Sequence, residues 1–455
     1  MRRIHFIGIG GIGMSGIALL CLKKGYKVSG SDIHESENTR KLVELGADIY
    51  IGHSPENIKN NDIAVYSSAI KNDNCELRQA REQKIPVFQR AQFLVSLMDK
   101  QAVIAVTGAH GKTTTSSLTA HLLTEANLSP TIAVGGIVGN ISNNAKLGLG
   151  KYFVAEADES DGTFLLYKPK HSIITNIDSE HLDFYKNFEN IKKAFRKFVL
   201  NNHKNGCIFW CFDDKEVRKI IKSSRCRSVS FGLEEQADIY ATNIEFDNFS
   251  SQFDVFYKNK FVARFKLSMS GRHNISNSLA VIGLGLELKL DIDVINRALS
   301  SFLGVNRRFQ VKRDHDDILI IDDYAHHPSE ILATIQTARR FKNKRLVVVF
   351  QPHRYSRTKL LLKRFSQSFF DADHLFITDI YPAGEKRIKG VDSVNLCRLM
   401  KGHSKPKTKF VEKEQITNKV SDFIRRGDLV LFLGAGDISK ICDGFVESLK
   451  RQVKV

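Results

Sequence analysis

One stretch of this chain constrains it more than any other: A-V-T-G-A-H-G-K-T-T-T at residues 105–115. An apolar β-type run, 102–106, leads into the glycines, and a helical pattern follows Thr113. Between a strand and a helix, glycines let backbone N–H groups turn inward around phosphate oxygens, and the helix N-terminus adds positive dipole. Gly108, Gly111, Lys112, Thr113 and Thr114 therefore read as an ATP loop. In it Lys112 bridges the β- and γ-phosphates and the Thr113 hydroxyl binds Mg²⁺. The common pattern has a glycine five positions before the glycine of the G-K pair. Here Val106 stands there, so the loop is a shortened form.

The rest of the chain is organised around that unit. At 455 residues it needs more than one domain. Runs at 4–9 and 26–29 read as strands, with a helix over 14–24 closed by Gly25, and residues 63–66 form a further strand before the polar turn Ser67–Ser68. The central part continues with strands at 152–155 and 172–175, then turns β-rich near 239–246 and 253–267. Strands at 318–321, 346–350, 375–378 and 429–433 alternate with helical stretches in the last third. The expected architecture is α/β in three domains: 1–98 Rossmann-like, 99–304 a central phosphate-loop domain with a parallel sheet and a smaller β-rich part, and 305–455 again Rossmann-like.

Composition removes several classes. The formal charge of +18 is scattered along the chain without a nucleic-acid motif, and a Lys-rich surface with anionic substrates accounts for it. Seven widely spaced cysteines without a C-x-x-C pair read as reduced thiols. The basic start and apolar stretch 4–22 mimic a signal peptide, but five glycines interrupt the stretch and no small-residue cleavage site precedes Lys23. The expectation is a cytoplasmic protein with no membrane insertion and no nucleic-acid partner.

Further motifs follow the predicted strands. Gly8, Gly10 and Gly13 make G-x-G-x-x-G after the first strand, with Asp32 24 residues beyond Gly8 at the end of the second. That pattern says dinucleotide or diphosphate. E-A-D-E-S-D at 156–161 puts Glu156 at a strand's C-terminal end, where acids beside a phosphate loop hold Mg²⁺; a solvated acidic turn is the plainer alternative. Asn176 and His181 follow the next strand, and a lone histidine is more often structural. His273, Asn274 and Asn277 open a helix, where the amides either meet adenine or cap. Arg307 and Arg308 sit at the last boundary. Asp323, Tyr324, His326 and His327 precede Pro328 at a helix start, and Arg354 with Arg357 offers carboxylate or phosphate clamps. The turn Gly434–Asp437 is as compatible with a tight turn as with a ligand site.

Taken in order, these motifs, with S-G-R-H-N-I-S-N, D-D-Y-A-H-H-P-S-E-I and Q-P-H-R-Y-S-R-T, resemble the Mur ligase family over essentially the whole chain. The resemblance implies a UDP-binding, an ATPase and an amino-acid-binding domain. It implies amide-bond formation through an acyl phosphate, with UDP-N-acetylmuramate and L-alanine as substrates and ATP and Mg²⁺ as cofactors. Transferred by motif, Lys112, Glu156, His181, His327, Arg354 and Arg357 carry the reaction, and Thr113, Glu156 and His181 hold metal. Gly108, Ala109, His110, Gly111, Lys112, Thr113, Thr114, Asn274, Asn277, Arg308 and Asp323 bind ATP. Gly10, Gly11, Ile12, Gly13, Asp32, Ser67 and Ser68 bind the UDP-sugar. Ala109 departs from the family's usual threonine, at a side chain that need not touch phosphate. The nearest rivals are ligation of a preformed tripeptide, which Tyr324 disfavours, and a uridine-nucleotide sensor without ligation. The metal ligands and Lys112 speak against the sensor, and the chain shows no hydride-site machinery for a dehydrogenase. Oligomeric state stays open between monomer and homodimer, as does carbamylation of a lysine in 185–198.

Overall fold

The computed structural model describes residues 2–58, 60–98, 101–341, 344–400 and 406–452. The expected junction at 98/99 therefore abuts residues that lie outside the described ones, as does the end of the last domain. Three sheets organise the chain. The first has five strands, all parallel, in the order Asp48–Ile51, Lys27–Asp32, Arg3–Ile7, Ile63–Tyr66, Val87–Gln89. The strands are short and helices return the chain between them, so the central strands Arg3–Ile7 and Ile63–Tyr66 are largely buried and read as apolar runs. The helix Ile12–Lys23 is buried from Met14 to Cys21 and ends before Gly25, whose φ of +81° stops it where expected.

The second sheet has ten strands. At its centre His171–Ile174, Ala102–Thr107, Tyr152–Glu156 and Thr131–Val138 lie side by side and parallel. The strand Asn143–Lys146 closes this edge as an antiparallel hairpin whose register slips between Ala133 and Val138. On the other side Cys207–Cys211 and Arg227–Gly232 continue in parallel, then Ile239–Phe246, Ser251–Tyr257 and Lys260–Leu267 complete the β-rich part. The third sheet places Ile318–Asp323, Asp428–Leu433, Arg345–Phe350, His374–Ile377 and Lys407–Phe410 in parallel, with Gln310–His315 antiparallel at the edge.

By compactness the chain divides in two. One unit holds 1–245, 252–268 and 274–304; the other holds 305–455 with the segments 246–251 and 269–273. In the first unit a continuous apolar core runs from Phe6 and Phe93 under the first sheet to Phe153, Phe164 and Phe198 under the second. Two sheets thus share one interior, tightened where Asn144 Nδ2 donates to the Ile12 carbonyl at 2.5 Å. In the second unit Phe350, Phe365 and Phe369 pack on one face of the sheet, and Phe432 and Phe445 on the other. All seven cysteines are free, and no helix among the described residues is long and apolar enough to cross a membrane.

Candidate nucleotide and ligation sites

The phosphate loop sits where the sequence places it, between the strand Ala102–Thr107 and the helix Lys112–Glu125. Gly111 has φ +81°, and a Cβ there would meet Asn277 Oδ1 at 2.9 Å, so both backbone and space demand glycine. The neighbouring strand end fixes the loop. Asn176 accepts from the Ala109 N–H at 3.1 Å and, through its side chain, from the His110 N–H at 2.8 Å. Thr175 Oγ1 and Asn176 Nδ2 in turn donate to the His110 carbonyl. Ala109 and His110 are thus placed beside the expected nucleotide with their N–H groups already engaged by Asn176.

Charge gathers around Lys112. Its Nζ donates to the Gly108 carbonyl at 2.6 Å and lies 2.9 Å from Glu159 Oε2. Burial works against the ammonium, yet Glu159, Asp158 and Glu156 outweigh it and hold the lysine above its ordinary range. Thr113 Oγ1 lies 3.2 Å from Glu156 Oε1, and the Gly135 N–H donates to Glu156 Oε2 at 2.8 Å. Burial raises the Glu156 carboxyl, with Lys112 pulling the other way. His181 Nε2 stands 3.5 Å from Glu159, and ligand atoms of Asp158, Glu159 and His181 lie within 4.8 Å of one another. For His181, burial opposes protonation, but Glu159 wins and raises the imidazole. Its φ of +54° is strained backbone for a histidine, of order 1–3 kcal/mol. Hydroxyl and carboxylate oxygens from Thr113, Glu156, Asp158 and Glu159 suit a hard dication such as Mg²⁺.

The first glycine loop belongs to the same unit. The Gly10 N–H donates to Asp32 Oδ2 at 2.8 Å, and Asn38 Nδ2 donates to the Gly10 carbonyl. Asp32 therefore braces the loop in addition to standing at the strand end. Gly11 takes the N-cap position of the helix Ile12–Lys23 without a side-chain cap, leaving Ile12 and Gly13 at an open helix start. Ser67 packs 3.2 Å from where a Gly8 Cβ would be, and Ser68 follows it in the next turn. Asn274 and Asn277 are buried on the helix Arg272–Glu287, with Asn277 against Gly111.

In the second unit the expected residues collect at the C-terminal ends of parallel strands. Tyr324, His326, His353 and Tyr381 form a chain of ring contacts, each pair 5.3–5.8 Å apart. The Arg307 and Arg308 guanidinium groups lie over the Tyr324 ring, at 4.9 and 5.1 Å. Arg308 reaches Glu330 at 3.5 Å. Arg357 Nη1 is 3.1 Å from His353 Nδ1, and burial together with His326, Arg357 and Arg354 drives His353 down to about 3. Arg354 is held in a left-handed conformation, φ +70°, with its N–H on the Tyr381 carbonyl and its side chain toward Glu385. His327 caps the helix Pro328–Ala338 with Pro at its first turn and is fully buried. Asp323 accepts from the Phe309 and Ala325 N–H groups, and burial pushes it up to about 6. Its carboxylate is committed to the local backbone. A cavity of 380 Å³ opens beside these residues, lined by Gln351, Asp379, Tyr381, Lys413 and Asp437.

Sequence reasoning singled out the acidic motif but assigned a role only to Glu156. Glu159 is the residue that meets both Lys112 and His181, and Asp158 completes the cluster around them. Alternation does not reach them, because the strand ends at Glu156 and both acids sit in the irregular turn beyond it. Gly135 and Asn144 were missed altogether, because a broken glycine-rich hairpin carries no period.

These elements define a class. The segments 3–102, 106–285 and 307–436 match, in order, the Mur ligase family catalytic domain, the Mur ligase middle domain and the Mur ligase glutamate ligase domain. The chain belongs to the Mur ligase family, a three-domain α/β family of ATP-dependent ligases of peptidoglycan precursors. Among its relatives, the UDP-N-acetylmuramate–L-alanine ligase of Geotalea daltonii is 45% identical over 99% of this chain and 98% of its own length. The enzyme of that name from Aquifex aeolicus is 44% identical over the same shares. Of solved structures, the UDP-N-acetylmuramate-alanine ligase of Thermotoga maritima superposes with a TM-score of 0.85 at 32% identity, covering 99% of this chain and 100% of that one. A murein peptide ligase of Psychrobacter arcticus shares the fold with a TM-score of 0.72 at 23% identity, each covering 99% of the other.

Proposed function

We propose that the chain joins L-alanine to the lactoyl carboxylate of UDP-N-acetylmuramate in the cytoplasm, consuming ATP, with residues 1–98 binding the UDP-sugar, 99–304 ATP and 305–455 the amino acid. The observation that carries this reading is the constellation of Lys112, Thr113, Glu156, Glu159 and His181 around the loop, since a nucleotide sensor has no use for a γ-phosphate lysine beside two sets of hard ligands. The relatives' names support the substrate pair.

A carboxylate is a poor acyl donor, and phosphorylation gives it a leaving group. The carboxylate oxygen attacks the γ-phosphorus, the bond to ADP breaks, and an acyl phosphate forms. The alanine amine then attacks the carbonyl carbon, and phosphate leaves from the tetrahedral intermediate carrying the former carboxylate oxygen. The amine proton passes to solvent or to the departing phosphate. Lys112 neutralises the β- and γ-phosphates, and Asn274, Asn277, Arg308 and the loop from Gly108 to Thr114 hold the nucleotide. Thr113 and Glu156 would hold one Mg²⁺, and His181 with Asp158 and Glu159 would hold a second, where the ions would offset phosphate charge as it shifts. Gly10–Gly13, Asp32, Ser67 and Ser68 hold the UDP. His327, Arg354 and Arg357 orient the carboxylates and the transferring phosphate. Positioning and charge neutralisation supply the rate.

The test is phosphate release from ATP and Mg²⁺ with UDP-N-acetylmuramate, run separately with L-alanine, L-serine, glycine and the peptidoglycan tripeptide. Release fastest with L-alanine is expected. Release with the tripeptide alone overturns the assignment, and no release with any of the four acceptors points to the sensor.

A further inference from the structure

Arg90 was no part of the sequence expectation. It opens the helix Arg90–Leu97, straight after the strand Val87–Gln89. That strand is parallel to Ile63–Tyr66, which is parallel to Arg3–Ile7, so Arg90 leaves the sheet at the same edge as the first glycine loop. Its side chain then lies across the start of the helix Ile12–Lys23. A methyl group built on Gly13 would collide with Arg90 Nη1, and from the same point Cδ is 3.2 Å and Cζ 3.3 Å away. Gly13 therefore does more than open a helix: its missing side chain is the space that the guanidinium occupies.

The guanidinium is half-buried, and no hydrogen bond or ion pair joins it to any described residue. Its charge reaches the acidic turn beyond, where it helps lower Asp158 and tempers the burial that raises Tyr167, but it bonds to neither. Its N–H donors stay within reach of solvent and of an incoming ligand, with no protein acceptor to compete for them. The Nη1 end of the fork lies against the glycine and is bonded to no protein group, and a guanidinium so placed matches the two-oxygen edge of a phosphate.

We propose that Arg90 is a specificity-determining residue of the nucleotide-sugar site: it grips the diphosphate of the substrate over Gly13, and it is what separates a uridine diphosphate from uridine. This rests on the reading of the glycine loop as the UDP site. Position favours the diphosphate over the lactoyl carboxylate as its partner, because the guanidinium touches the glycine loop itself.

The experiment is calorimetry on the full chain with UDP and uridine as separate probes, and ATP with Mg²⁺ as a control for folding. Arg90→Met is expected to weaken UDP binding about 10- to 100-fold, the range of a charged hydrogen-bond pair. Uridine and ATP binding should stay within about twofold of the parent. Arg90→Lys, which keeps the charge and loses the fork, should fall between. Gly13→Ala keeps the arginine and evicts it, so it should reproduce the selective loss of UDP. If Arg90→Met binds UDP as the parent does, or weakens UDP and uridine equally, the assignment is overturned while the UDP reading stands. A parent chain that binds ATP but not UDP overturns both.

Discussion

Lys112 donates to the carbonyls of its own loop and to Glu159, so its ammonium is aimed and charged before any phosphate arrives. Lys112→Ala should reduce phosphate release by about a thousandfold, the scale of a preorganised charge at a reacting group. Calorimetric binding of UDP should be untouched, because the glycine loop of the first sheet makes no use of that side chain. A parallel loss of both would contradict separate nucleotide sites. Elsewhere in the same unit Glu76 is wholly buried, where desolvation alone would raise it. The nearby His5 ring and donors on Ser31 and Asn57 more than offset that and hold it at about 2. A depressed carboxyl contributes stability that is present above its unfolded value near 4.5 and is lost as pH falls through about 2. Glu76→Gln should therefore lower the melting temperature at pH 6–7, by a deficit on the order of 2–3 kcal/mol, and the gap to the parent should close toward pH 2. A gap that does not vary with pH would show that packing rather than charge is at stake. Lys112, Thr113 and Glu156 were legible as residues because each belongs to a local strand-to-turn signal, whereas His181 stood out only through the family resemblance. Arg90, Gly135 and Asn144 were not, since their meaning lies in what they touch across the fold.

The hairpin of Thr131–Val138 and Asn143–Lys146 shows the same limit for elements. Strands at 63–66 and 239–246 matched their sequence pattern residue for residue, and the helix beginning at Pro328 starts where proline dictates. The apolar stretch 253–267 instead resolves into two strands, turning at Lys258 and Asn259, both with positive φ. The 131–146 hairpin escaped because G-G-I-V-G-N reads as loop, and its pairing is interrupted. Yet it holds Glu156: a Cβ on Gly135 would meet both carboxylate oxygens at 2.7 Å. Gly135→Ala should raise the Mg²⁺ concentration that half-saturates ATP binding by about tenfold, equivalent to losing one hydrogen bond to a charged group. A titration of ATP binding against Mg²⁺ by calorimetry reads this directly, and an unchanged midpoint would dissociate the hairpin from the metal site.

At the scale of the molecule, three α/β sheets in order gave the fold class from sequence, because strand–helix alternation is a long-range repeat that survives errors at element ends. What the pattern concealed is that the first two sheets share a single core, so the chain forms two compact units. The charge of +18 now has a use, since both nucleotides are polyanions. Raising ionic strength across the range in which the Debye length falls from about 30 to about 8 Å should raise the KM for UDP-N-acetylmuramate several-fold more than that for alanine. Equal shifts would deny the surface charge a part in substrate capture. The central claim is ligation through an acyl phosphate, and isotope transfer tests it most directly. With oxygen-18 in the lactoyl carboxylate of UDP-N-acetylmuramate, the phosphate released with L-alanine should carry one labelled oxygen per amide formed. Unlabelled phosphate accompanying amide formation would contradict the account.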